Sequence, residues 1–222
     1  MHNRTRLVFK LLRLGLDPAQ IVTRLELRRA LAGCASALDV GCGPDSTLRW
    51  LGFENLAGIE GYRPSFETAK KHATHDELTL GDIRELDRWF RPGQFDACVA
   101  LDVIEHLPKE DGFKLIAAME RVALKQVVLF TPSGFLPQRH TDQDDLQEHL
   151  SGWEAAEMER LGYRVTGVLG PKRLRGEYHQ LRWRPKFFWA VLSLALHFLW
   201  TRSRPAAAAA ILCVKHRSTG TK

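Results

Sequence analysis

The chain has 222 residues, 45% of them hydrophobic, and a formal net charge of +6, which is enough for one well-buried domain with appendages and too little for two full ones. Its four cysteines, Cys34, Cys42, Cys98 and Cys213, show no C-x-x-C spacing, which argues against a zinc site or a disulfide framework and for a reducing, cytosolic compartment. Seven Lys/Arg face two Asp/Glu in residues 1–33, 14 face 23 in 34–170, and eleven face one in 171–222; an acidic centre between basic ends argues against one continuous nucleic-acid-binding face and suits an enzyme core whose ends meet an anionic surface.

The first 33 residues read as a helical extension. Lys10 and Arg13 interrupt the apolar run of "RLVFKLLRLGL" (6–16), and no small-residue cleavage site follows, so no signal peptide is expected. From residue 35 onward short apolar runs alternate with amphipathic stretches, the pattern of βαβ units and a mainly parallel sheet. Strands are predicted at 36–40, 55–59, 77–80, 95–101 and 126–131. A helix is predicted over 108–124, opened by Pro108 and acidic residues. A polar loop follows at 132–149. Ser151 and Glu154 then form the S-x-x-E pattern of a capping box, and Gly162 closes the helix that the box would open. Two last strands are predicted at 163–170 and 209–216, separated by an insertion at about 171–205 that is longer than an ordinary connection.

The first strand runs into "LDVGCGPD", where Gly41 and Gly43 make a tight turn before an expected helix. Glycine lets backbone approach a ligand closely, and a helix start offers free N–H groups. The turn does not suit a dinucleotide: the third position of G-x-G-x-x-G is Ser46, and Asp45 beside it would repel a pyrophosphate. A cofactor with a cationic centre and no phosphate tolerates that carboxylate better. The motif resembles the first motif of class I S-adenosylmethionine-dependent methyltransferases, D-x-G-x-G-x-G, with Asp39, Gly41 and Gly43 in place and Asp45 where the third glycine would stand.

Further matches follow in the family's order. Glu60 ends the second strand in "AGIEGY", Asp82 and Ile83 follow the third in "LGDIREL", and the fourth runs "FDACVALDVIEHL". The resemblance covers about 35–170 and implies an α/β, Rossmann-like class I methyltransferase fold with a mainly parallel seven-stranded sheet and helices on both faces. It also implies S-adenosylmethionine as cofactor. Asp39, Gly41, Cys42 and Gly43 would lie along it, Glu60 and Gly61 at its ribose, Asp82 at its adenine amino group, Ile83 over its ring, and Leu101 beside it. Such an enzyme aligns a nucleophile with the sulfonium methyl, and a base helps when the nucleophile is a hydroxyl. His106 is the first candidate for that base, with His140 and His149 behind it. "HTDQDD" (140–145) is read as a solvated acidic loop, and no metal is expected.

Methyltransferases acting on exocyclic base amines carry [N/D]-P-P-[Y/F] after the fourth strand, and here that place reads "ALDVIEH". Neither Cys42 nor Cys98 is placed as a pyrimidine C5 nucleophile would be. The remaining acceptors are small molecules, glycans or lipid-linked compounds, with quinone or lipid C- or O-methylation as one alternative and a non-catalytic cofactor-binding scaffold as another. The segment "RWRPKFFWAVLSLALHFLW" (182–200) joins basic to apolar residues, and its 14-residue apolar stretch is too short to span a bilayer. It reads either as a helix packed on the core or a dimer partner, or as an interfacial helix. In the second case residues 182–204 would bring Arg182, Arg184, Lys186, Trp183, Trp189 and Trp200 to an anionic membrane face.

Overall fold

The computed structural model describes residues 18–138 and 148–217. The basic-apolar run at 6–16, His140 and the 140–145 segment lie outside them.

Seven strands form one sheet: β1 (Ser36–Val40), β2 (Asn55–Glu60), β3 (Glu77–Leu80), β4 (Phe95–Leu101), β5 (Ala123–Pro132), β6 (Arg164–Pro171) and β7 (Ala208–His216). Their order is β3-β2-β1-β4-β5-β7-β6. All neighbouring pairs are parallel except those of β7, which runs antiparallel to both β5 and β6. The order reverses between β1 and β4, which opens a crevice at their carboxyl ends, the place where open α/β sheets bind ligands.

The helices among the described residues are α1 (Pro18–Ala30), α2 (Arg63–Lys71), the short α3 (Leu86–Trp89), α4 (Lys109–Val122), α5 (Ala155–Arg160) and α6 (Lys186–Leu199). The central strands are apolar on both faces, so alternate residues feed two cores. Leu38, Val40, Cys98, Ala100, Val127 and Leu129 pack with Leu115, Met119 and Val122 of α4. Ala37, Ala97, Val99, Val128 and Phe130 pack on the other side with Leu27, Ala30 and Leu31, so α1 covers the face opposite α4. Leu115 and Met119 are completely buried, and truncating either to alanine costs about 2–5 kcal/mol.

Two local expectations are corrected. The glycine turn does not enter an α-helix: Ser46 caps a single 3₁₀ turn, Thr47–Trp50, by accepting from the Leu48 N–H (3.1 Å), and the chain returns at once to β2. Ser151 caps nothing. Its hydroxyl donates to the Ile104 carbonyl (3.1 Å) and accepts from Trp153 Nε1 (3.1 Å), so the chain stays extended through the buried Trp153 and α5 starts only at Ala155.

The insertion places α6 directly on β6. A Cβ on Gly167 would strike the Thr201 carbonyl and one on Gly170 would strike Ser193, so both glycines are needed for this approach. The helix turns Ala190, Ser193 and His197 toward the protein, while Phe187, Phe188, Val191, Phe198 and Leu199 are exposed. Five of its large apolar side chains therefore face outward, while Trp189, Leu192, Leu194 and Leu196 are half-buried.

Candidate active site

A cavity of about 770 Å³ occupies the crevice at the ends of β1, β2, β3 and β4. This is within the usual size for a cofactor together with a small acceptor. Gly41, Cys42, Gly43, Glu60, Gly61, Asp82, Ile83, Leu101, His106 and His149 all line it, so residues far apart in the sequence meet around one volume.

Glycine is required at the turn. Gly41 has φ +66°, and a Cβ there would come 2.8 Å from Val103 Cγ2; Gly43 has φ +63° and open space where a Cβ would point. The Gly41 and Cys42 N–H groups donate to the Ile59 carbonyl (2.9 and 3.2 Å), tying the turn to β2. The Gly43 N–H donates to Glu60 Oε2 (2.8 Å), and the Tyr62 N–H donates to Glu60 Oε1 (2.7 Å). Each carboxylate oxygen has two lone pairs, so Glu60 fastens the turn and still has one acceptor site per oxygen for a ligand's paired hydroxyls.

Asp39 stands elsewhere. It is buried behind the turn, outside the cavity lining. Its Oδ2 accepts a short bond from Ser46 Oγ and lies 3.2 Å from His75 Nε2. Asp39 thus positions the turn and does not touch the ligand volume. Asp45 pairs with Arg49 (2.9 Å) and also lies outside the lining, so the missing third glycine leaves the cradle open. Asp82 lies in the wall, but Arg84 grips it through the backbone N–H (2.9 Å) and the guanidinium (2.6–3.0 Å), and these bonds hold its carboxyl below the usual range. An adenine amino group there would have to share Asp82 with Arg84. Burial, then the charges of Asp39 and Glu60, push the Cys42 thiol far up, so it stays protonated and does not serve as a nucleophile.

The other end of the cavity gathers titratable groups. Glu105 is 2% exposed; its Oε2 accepts from Thr131 Oγ1 (2.9 Å), while Oε1 has no donor. Burial and the neighbouring Asp102 charge push its carboxyl well above the usual range. His106 Nδ1 lies 3.0 Å from the Glu148 carbonyl, and His149 Nδ1 lies 2.7 Å from the Leu136 carbonyl. A carbonyl can only accept, so both Nδ1 atoms carry protons and both Nε2 atoms keep their lone pairs. The rings meet edge to face with centroids 4.8 Å apart, and burial lowers both pKa values, leaving neutral imidazoles near pH 7.

Three lining residues at this end escaped the sequence reading. Asp102 has φ +53°, and Tyr178 and His179 have φ +52° and +57°, uncommon backbone for such residues and frequent at working sites. His179 Nε2 lies 3.4 Å from Asp102 Oδ1. The buried Arg175 braces the bend by donating to the Leu169 and His179 carbonyls (2.7 and 2.6 Å). Asp102 was visible in "ALDVIEH" as a strand-end acid; Tyr178 and His179 come from the insertion, whose local sequence carries no sign of where it folds.

Comparison with known proteins fits this geometry. Residues 38–131 match a family model described as a methyltransferase domain. Over that stretch the chain is similar to methyltransferase domains, and its fold is one that S-adenosylmethionine-dependent methyltransferases of known structure adopt. The chain shares its fold with a SAM-dependent methyltransferase from Archaeoglobus fulgidus (14% identity over 94% of this chain and 99% of that one, TM-score 0.57). It also resembles DhpI in complex with S-adenosylhomocysteine (14% identity, 88% and 83% covered, TM-score 0.55). A third likeness is to a Haloferax volcanii complex of the Trm112 methyltransferase activator with a methyltransferase (15% identity, 88% and 89% covered, TM-score 0.56). No curated protein matches the chain.

The cavity fits the cofactor on its own evidence. The glycine cradle is open at Gly43, and Glu60 has acceptor sites left for a ribose. Bound there, S-adenosylmethionine supplies an electrophilic methyl on a sulfonium.

Proposed function

We propose that this chain is an S-adenosylmethionine-dependent methyltransferase that methylates a hydroxyl on a glycan or lipid-linked small molecule presented at an anionic membrane face. The acceptor oxygen lies at the Asp102–Glu105–His106–His149 end of the cavity, where polar groups converge. The oxygen bonds to the methyl carbon as the carbon–sulfur bond breaks and its electron pair stays on sulfur. The hydroxyl proton passes to a group at that end: the Asp102 carboxylate and the neutral His106 imidazole are both able to accept it. Glu60 and the glycine turn hold the donor so that the two partners meet in line.

The observation that carries the acceptor class is the inverted polarity of α6. The segment that puts Tyr178 and His179 in the cavity wall runs on into a helix that buries Ala190, Ser193 and His197 and exposes Phe187, Phe188, Val191, Phe198 and Leu199. Arg182, Arg184 and Lys186 at its start and Arg202 and Arg204 after its end are exposed, flanking that apolar face with positive charge, as an interfacial helix requires. No helix among the described residues is long and apolar enough to cross a membrane.

The test combines co-sedimentation with phosphatidylglycerol vesicles at low salt and transfer of labelled methyl from S-adenosylmethionine to polyprenyl-linked sugars in those vesicles. The wild type is expected to bind and to label the lipid phase, and a Phe188→Ser/Phe198→Ser/Leu199→Ser variant to lose both while still binding S-adenosylhomocysteine. A wild type that ignores the vesicles, or a variant that sediments equally well, would overturn the membrane reading.

A further inference from the structure

Glu105, His106 and His149 each present one ligand-type atom, and these atoms lie within 4.8 Å of one another on the cavity wall. Each is already oriented from behind. Both histidines are locked by Nδ1–H bonds to backbone carbonyls, so each offers Nε2, and Thr131 holds one Glu105 oxygen while the other is buried without a donor. Bonding the far ring nitrogen to a carbonyl is how proteins set the tautomer of a metal-ligating histidine.

We propose that Glu105, His106 and His149 form a site for a divalent first-row transition-metal ion, which orients the acceptor hydroxyl opposite the methyl donor. The inference rests on the methyl-transfer reading for its purpose, but not for its existence. Two imidazoles and one carboxylate form a set that suits such an ion and leaves coordination positions open on the cavity side. Ligand atoms about 2.1 Å from one ion lie roughly 3–4 Å apart, so the present spread of up to 4.8 Å closes by side-chain rotation of about one ångström. With His106 engaged as a ligand, the Asp102 carboxylate is the group left to receive the hydroxyl proton. The ion contributes positive charge where the acceptor oxygen turns anionic.

The test is titration of EDTA-stripped, desalted full-length protein with MnCl₂, following free Mn²⁺ by electron paramagnetic resonance. Binding of S-adenosylhomocysteine and thermal unfolding are measured on the same samples. The wild type is expected to take up one ion per chain. Glu105→Gln and His149→Ala are each expected to weaken uptake at least about 100-fold, the upper end of what losing even an outer-shell partner costs. Glu105→Gln keeps an acceptor for Thr131 and nearly the same side-chain shape, so it is expected to fold and melt no lower than the wild type, and both variants to keep S-adenosylhomocysteine binding. Wild-type uptake weaker than about 1 mM, or uptake unchanged in both variants, would overturn the site while leaving the cofactor reading intact. Mn²⁺ uptake that follows the variants in a protein unable to bind S-adenosylhomocysteine would support the site and sink the donor reading instead.

Discussion

Replacing Glu60 by glutamine tests the cofactor geometry with the least disturbance. The side chain keeps its length and shape, but one acceptor oxygen becomes an NH₂ group. In the wild type each oxygen accepts one backbone N–H, from Gly43 (2.8 Å) and Tyr62 (2.7 Å), and keeps one lone pair for the ribose. The amide nitrogen can accept neither, so one charge-assisted bond to the backbone and one to the ribose are lost together. A hydrogen bond to a charged group contributes about 1.5–3 kcal/mol. Loss of the ribose bond therefore predicts S-adenosylhomocysteine binding weaker by about 10- to 100-fold. Loss of the backbone bond predicts a melting midpoint lower by about 3–12 °C for a chain of this size. Isothermal titration reads the first and scanning calorimetry the second. A variant that binds within about threefold of the wild type and melts with it would refute the reasoning on both counts. A lowered midpoint with unchanged affinity would show that Glu60 only pins the turn.

Three further outcomes are expected. His197 is 1% exposed with neither ring nitrogen bonded, and burial lowers its pKa although Glu26 opposes the shift; the unfolded chain thus binds its proton first, so stability is full above the unfolded value near 6.5 and is lost as pH falls below it. Denaturant unfolding between pH 7.5 and 5 should show this loss in the wild type and a flatter profile in His197→Leu, and parallel profiles would refute the assignment. Gly167→Ala drives a Cβ against the Thr201 carbonyl and Ala208, so its thermal midpoint should drop by an amount equivalent to about 1–3 kcal/mol; an unchanged midpoint would mean that α6 is not seated on β6 as described. Cys42, Cys98 and Cys213 are buried, and burial raises all three thiols, so an Ellman titration of the native protein should modify at most the half-buried Cys34, whereas rapid reaction of Cys42 would show that the glycine turn is open.

Much of the frame was readable in the residues themselves. The seven strands fall within a few residues of the apolar runs that suggested them, because a strand buried on both faces must be apolar at nearly every position. Gly41, Gly43 and Glu60 were legible for a related reason: a left-handed turn demands glycine, and a strand-end carboxylate facing it has few other tasks. Local signals failed where tertiary contacts competed for the same atoms. Ser151 had a capping sequence, but the Ile104 carbonyl and Trp153 indole were nearer partners. Asp39 sat in the right motif, yet Ser46 and His75 claim it from behind.

What the sequence determined by itself was the order of elements, the turn chemistry and the kind of cofactor, all carried by contacts or spacings that are short along the chain. Only the tertiary structure decided which residues share a wall. Glu105, His106 and His149 come together because the chain beyond β5 folds back over the end of β4, with the Leu150 and Ser151 N–H groups donating to the Glu105 carbonyl (2.8 and 3.0 Å). Composition alone left α6 readable either as a core helix or as an interfacial one. The glycines of β6 settle which side faces inward, because only small residues fit against a strand at that distance, and Phe187, Phe188, Val191, Phe198 and Leu199 are left exposed.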